Sequence, residues 1–220
     1  MCDGRLFSGL AGPLSAALPI HHAPINGHDN IPALAAAILD HAPPRFALAG
    51  LSMGGIVAME VVNQAPGRVD RIALMDTNPL TEKEAVKARR DRQMEKVQGG
   101  GLRQVMAEEM KPLYLAAGEK RDQILELCMD MALRQGNDVF IRQSKALQRR
   151  ADYREVLTKI RVPALVLCGR EDRLCPLERH ELMHELIPGS TLQIVEEAGH
   201  LPVLEQPERV TRALFDWLDR

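Results

Sequence analysis

Arg45-Phe46-Ala47-Leu48-Ala49-Gly50-Leu51-Ser52-Met53-Gly54-Gly55-Ile56-Val57 is the stretch whose reading decides the fold. An apolar run from Arg45 to Leu51 is followed at once by a serine between glycines, then by Ile56 to Val62, apolar on nearly every face. Short apolar runs of this kind, bounded by turn residues, predict a buried strand, a tight turn and a buried helix. Gly50-Leu51-Ser52-Met53-Gly54 fits G-x-S-x-G. A serine at so sharp a strand-to-helix turn must adopt a strained backbone, and neighbours without side chains let strand and helix approach closely enough to expose its hydroxyl. Helix capping is the ordinary use of such a serine, but strand, glycines and helix together favour a nucleophile.

Outward from this turn, the helix should stop at Ala65-Pro66-Gly67, and Arg71 to Met75 supplies a second β-type run that ends at Asp76. A further alternation begins at Val162-Pro163, runs through Ala164 to Cys168 and halts at Gly169. A helix from Leu177 to Ile187, a strand from Thr191 to Val195 and a terminal helix opened by Pro207 follow, the last with Val210, Leu214 and Trp217 on one face. Strands alternating with helices predict an α/β fold, a mostly parallel sheet with helices on both faces.

Between these blocks, residues 80–159 are rich in Lys, Arg, Glu, Gln, Met and Leu at helical spacing, and β-type runs vanish. Breaks at Gly99-Gly100-Gly101, Ala117-Gly118 and Gly136-Asn137 divide this insertion into separate helices. The expected organisation is one α/β core from residues 1–79 and 160–220, with 80–159 as a helical cap. Met94, Met106, Met110, Met129 and Met131 of the insertion are expected to be packing core ahead of substrate lining.

The 220 residues suffice for one well-buried core plus the insertion. With 26% charged residues, 3% aromatic residues and a net charge of -2, neither a basic excess nor a stacking surface suits nucleic acid. Leu6 to Ile20 is mildly apolar, but Gly12-Pro13 interrupts it and Asp3 offsets Arg5, so a folded helix is expected and not a secretory leader. No apolar run reaches membrane-spanning length. The four cysteines have no C-x-x-C spacing, which predicts buried thiols in a reducing compartment, the cytoplasm, and no zinc.

A serine hydroxyl is a weak nucleophile near neutral pH, so a histidine must take its proton and a carboxylate must orient that histidine. Among seven histidines, His200 follows the strand Thr191 to Val195 after a short loop, at the carboxyl edge of the sheet where Ser52 also emerges. His21, His22 and His28 precede the nucleophile strand, and His41 ends a helix. His180 and His184 share a helical face at i, i+4, without a third ligand or the H-E-x-x-H order, and are expected to be solvated surface. For the acid, Asp172 follows the strand ending at Cys168. Glu171 and Asp76 are its rivals, both expected to be structural, Asp76 in a turn with Thr77 and Asn78. The Met53 N–H, in the first turn of the helix, lacks an intrahelical acceptor and can donate to a developing oxyanion. No metal or organic cofactor is needed for this chemistry, and the expected partner is a small-molecule substrate.

The order Ser52, Asp172, His200 resembles the Ser, Asp/Glu, His order of α/β hydrolases. Ala-Gly-Leu-Ser-Met-Gly-Gly, Gly-Arg-Glu-Asp and Ala-Gly-His-Leu-Pro are similar to three signature regions of the esterase, lipase and C-C hydrolase branch, and the likeness spans nearly the whole chain. The resemblance implies ester hydrolysis through an acyl-enzyme, with C-C bond cleavage, thioester hydrolysis or a perhydrolase side activity open to the same machinery. One departure stands out. Family members carry several strands before the helix that here begins near Leu6, and the residue after a His-Gly or Pro-Gly at the end of the last one supplies a second oxyanion N–H. In this sequence that second donor falls at or just before Met1. The departure raises an alternative, a non-catalytic binding protein on the same fold.

Overall fold

The computed structural model describes residues 1–220. A 3-10 turn at Gly4–Phe7 leads into α1 (Ser8–Ser15), and α2 (Ile31–His41) follows. Asn30 caps α2 by accepting the Ala33 N–H at 2.9 Å. The chain continues through β1 (Phe46–Leu51), α3 (Met53–Gln64) and β2 (Val69–Met75). The insertion holds α4 (Glu84–Gln98), α5 (Leu102–Val105), α6 (Arg121–Gln148) and α7 (Arg154–Leu157). The closing half is β3 (Ala164–Gly169), α8 (Leu177–Leu186), β4 (Thr191–Val195), α9 (Pro202–Glu205) and α10 (Pro207–Leu218).

The four strands form one parallel sheet in the order β1-β2-β3-β4, with β1 at an edge. Alternation along the central strands sends side chains into two cores, as a sheet covered on both faces requires. Ile72 and Leu74 of β2 and Val166 of β3 join Met59, Val61 and Met183 under α3 and α8. Ala73, Met75, Leu165 and Leu167 join Leu10, Val210, Leu214 and Trp217 under α1 and α10. Each fully buried aliphatic side chain contributes roughly 1.5–3 kcal/mol by leaving water. The Trp217 indole N–H also donates to the Pro163 carbonyl at 3.2 Å, tying α10 to the entry of β3.

The insertion shares the second of these cores, to which Val97, Met106, Met131 and Phe140 belong. Met106, Met129 and Met131 are buried packing residues, whereas Met94 and Met110 are only partly covered. At Gly136 the backbone takes φ 80, ψ 177, which is not helical, so the expected break is present and α6 is two helices meeting at a kink. Helix α1 covers only Ser8–Ser15 of the apolar stretch Leu6 to Ile20, with the 3-10 turn before it and Pro13 inside it. No helix is long and apolar enough to cross a membrane.

The register Leu51↔Met75, Met75↔Leu167 and Gly169↔Val195 brings the carboxyl ends of all four strands to one rim. Whatever follows those residues in sequence meets there.

Candidate active site

Ser52 follows the last residue of β1 with φ 54, ψ -119, in the left-handed region that side chains other than glycine's rarely adopt. Its neighbours hold it there. The Ser52 N–H donates to the Met75 carbonyl at 2.9 Å, and the Thr77 hydroxyl donates to the Ser52 carbonyl at 2.7 Å. A Cβ on Gly50 would overlap the Gly54 carbonyl, and one on Gly55 would sit 2.7 Å from the Thr77 side chain. Gly54, in contrast, faces open space. The sterically required pair is therefore Gly50 and Gly55, one residue beyond the pentapeptide. The Ser52 side chain makes no capping hydrogen bond to α3, so its hydroxyl is directed elsewhere.

That hydroxyl lies 2.8 Å from His200 Nε2, and His200 Nδ1 lies 2.8 Å from Asp172 Oδ2. Asp172 and His200 are buried, while Ser52 keeps partial access to the cavity. The other Asp172 oxygen, Oδ1, accepts the N–H groups of Leu174 at 2.8 Å and Cys175 at 2.9 Å. Donors on both oxygens fix the direction of the carboxylate. The acid-bearing and histidine-bearing loops are stitched together: the Arg170 N–H donates to Val195 and the Glu171 N–H to Ala198, each at 2.9 Å. The three residues thus form one continuous chain of contacts across 148 positions of sequence.

Two residues close to this chain were not identified from sequence. Glu205, at the end of α9, accepts N–H groups from Gly199 at 2.9 Å, Leu201 at 3.2 Å and Ala116 at 2.8 Å, so it clamps the histidine loop to the insertion. Burial pushes its carboxyl up, against the pull of those donors. Its three donors come from separate parts of the chain, so the sequence around the single-turn α9 carried no signal for it. The second is His180. Expected at the surface, it is fully buried, and its Nε2 accepts the Thr77 N–H at 3.1 Å. Its face of α8 turns towards the sheet, and burial pushes the imidazole down to about 4. His184 has a separate partner, Ser190, at 2.8 Å.

Asp76 also departs from expectation. Rather than closing a turn with Thr77 and Asn78, it takes φ 43 and is fully buried, with its carboxyl crossing to β3 to accept the Gly169 N–H at 2.9 Å. Asp172, Cys175 and His200 could offer a metal one ligand atom each within 4.8 Å, but Asp172 Oδ2 and His200 Nδ1 are already engaged with each other. All four cysteines are free thiols.

Ser52, Met53 and His200 open onto a cavity of about 1700 Å³, walled by both core and insertion. Glu82, Val86, Gln93 and Met110 come from the insertion, and Met1 and Cys2 also line the cavity.

A family model described as alpha/beta hydrolase family matches residues 8–213. The chain belongs to the alpha/beta hydrolase family. Pimeloyl-[acyl-carrier protein] methyl ester esterase of Chromobacterium violaceum is 25% identical over 229 residues, spanning 98% of this chain and 90% of the relative. A thermophilic esterase from Thermogutta terrifontis superposes with a TM-score of 0.89 at 28% identity, over 99% of this chain and 86% of that one. The enol-lactonase of Burkholderia xenovorans, at 21% identity and a TM-score of 0.85 over 100% of this chain and 88% of its own, is alike in fold. Membership makes this alpha/beta hydrolase an enzyme of the hydrolase class, which favours catalysis over the non-catalytic binding alternative.

Proposed function

We propose that this alpha/beta hydrolase cleaves a carboxylic ester of small or medium size through an acyl-enzyme on Ser52. The observation that carries the reading is the unbroken relay from Ser52 Oγ through His200 to Asp172, with 2.8 Å at each junction. Ser52 Oγ attacks the ester carbonyl as His200 Nε2 takes its proton, and Asp172 stabilises the imidazolium so formed. Collapse of the tetrahedral intermediate breaks the carbonyl–alkoxy bond, and His200 returns the proton to the departing alkoxide. Water, deprotonated by the same imidazole, then releases the acid and restores Ser52. The Met53 N–H, at the start of α3, donates to the oxyanion.

Residues 80–159 act as the cap, since the cavity lies between α4 and the strand ends. No metal or organic cofactor takes part in these steps, and the four free thiols suit a cytoplasmic setting. The ester specificity of the Chromobacterium violaceum relative supports ester cleavage over C-C or thioester cleavage. Ser52→Ala should abolish turnover of a p-nitrophenyl ester and labelling by a fluorophosphonate while leaving the circular dichroism spectrum unchanged. Undiminished turnover in that variant removes the proposal.

A further inference from the structure

Behind Asp172 stands a second buried carboxyl, Asp76, and both residues are held to Gly169: Asp76 accepts its N–H, and the Asp172 N–H donates to its carbonyl at 3.3 Å. Asp76 Oδ1 is satisfied by the Gly169 N–H at 2.9 Å, but Oδ2 is fully enclosed and has no donor. The titratable groups around Asp76 offer it no cation. Asp172 and Cys175 face it from the loop after β3, Cys168 from β3, Glu205 from α9, and His180 reaches Thr77 from α8. His180 is neutral, because its Nε2 is the acceptor for Thr77 and burial disfavours its charge.

Two carboxylates in contact inside a protein do not both ionise, since their repulsion is not screened there. One proton between them answers both the repulsion and the orphaned oxygen. Its location follows from the donors each group already has. Asp172 accepts hydrogen bonds from Leu174, Cys175 and His200 on its two oxygens; Asp76 accepts only the one from Gly169, which leaves its Oδ2 free to carry the proton. Burial, followed by the Asp172 charge, pushes the Asp76 carboxyl well above the usual carboxylate range.

We propose that Asp76 is a positioning residue of this active site, a neutral carboxylic acid whose Oδ2–H donates to Asp172 and keeps that carboxylate ionised and aimed at His200. The proposal rests on the Ser52-His200-Asp172 relay proposed above. It means that His200 faces one negative charge, not two. A second charge would oppose release of the proton that the imidazole takes from Ser52. The left-handed backbone at Asp76, φ 43, lets the residue leave β2 and turn its side chain across to β3.

Asp76→Asn tests this, because its amide oxygen can accept from Gly169 and its NH₂ can donate to Asp172 as the neutral acid does. Asp76→Asn should retain near-native kcat on a p-nitrophenyl ester, and the acid limb of its kcat/KM profile should stay in place. Asp76→Ala should lose about tenfold or more in kcat with little change in KM. Infrared difference spectra at pH 7 should show a protonated-carboxyl C=O stretch in the native protein that Asp76→Asn lacks. A missing band overturns the proposal, and so does an Asp76→Asn acid limb moved down by about one pH unit or more, the mark of a lost negative charge. If Asp76→Ala fails to fold, the Asn variant and the infrared band still decide. The band does not depend on turnover, so failure of the serine mechanism, seen with Ser52→Ala, is separable from failure here.

Discussion

Gly169 and Gly199 touch through their backbones: a methyl group on Gly169 would overlap the Gly199 carbonyl oxygen and the Ala198 carbonyl as well. The loop that carries Asp172 is therefore seated directly on the loop that carries His200. Gly169→Ala should force these backbones apart. Overpacking of this kind typically destabilises by about 1–3 kcal/mol, which urea unfolding would measure. Because Asp172 and His200 move with their loops, kcat on a p-nitrophenyl ester should fall while KM changes little.

Gly50 and Gly54 flank Ser52 symmetrically in sequence but not in space. Gly50→Ala should collide with the Gly54 carbonyl and cost the turn its geometry, seen as loss of fluorophosphonate labelling at Ser52. Gly54→Ala meets open space within α3 and should stabilise by about 0.5–1 kcal/mol through helix propensity alone. Equal melting temperatures for the two variants would contradict this.

The buried imidazole of His180 makes stability depend on pH. Its pKa lies at about 4 in the fold against an ordinary 6.5, so the unfolded chain binds the extra proton across that interval. Its contribution is complete above 6.5 and is lost as pH falls towards 4, by about 3 kcal/mol at most. In His180→Gln the stability measured by chemical unfolding should be lower at pH 7 but should decline less steeply over that interval.

Glu205 gathers N–H groups from Gly199, Leu201 and Ala116 onto one carboxylate. Glu205→Ala would leave these donors without an acceptor, at about 1–3 kcal/mol for each one that water does not reach. Thermal denaturation should register the loss, and kcat should drop because the His200 loop is no longer held. Glu205→Gln, with one oxygen remaining, should fall between native and Ala.

That Ser52, Asp172 and His200 meet was legible in sequence for one reason: each follows an apolar run short enough to be a strand, and parallel strands end on a common rim. The limits of β4, Thr191 to Val195, follow from the same runs. Burial of His180 was not legible, because the spacing that pairs it with His184 says nothing about which face of α8 meets the sheet. That depends on Thr77, 103 residues away in sequence. Asp76 likewise read as a turn former because its partner, Gly169, lies across a strand pairing that only the register reveals. The break at Gly136 was visible as a glycine followed by Asn137, and the left-handed φ of 80 there is one that glycine adopts without strain.

The His200 N–H donates to the Tyr114 carbonyl at 2.7 Å, and Glu205 grips Ala116 at 2.8 Å. Residues 114–116 are thus an anchorage shared by the base and the helical insertion. A lid that swung about this point would drag the imidazole out of line with Ser52. The alignment of the imidazole with Ser52 therefore depends on the insertion as well as on the strand ends, so a change in the insertion far from the serine can still be felt in proton transfer.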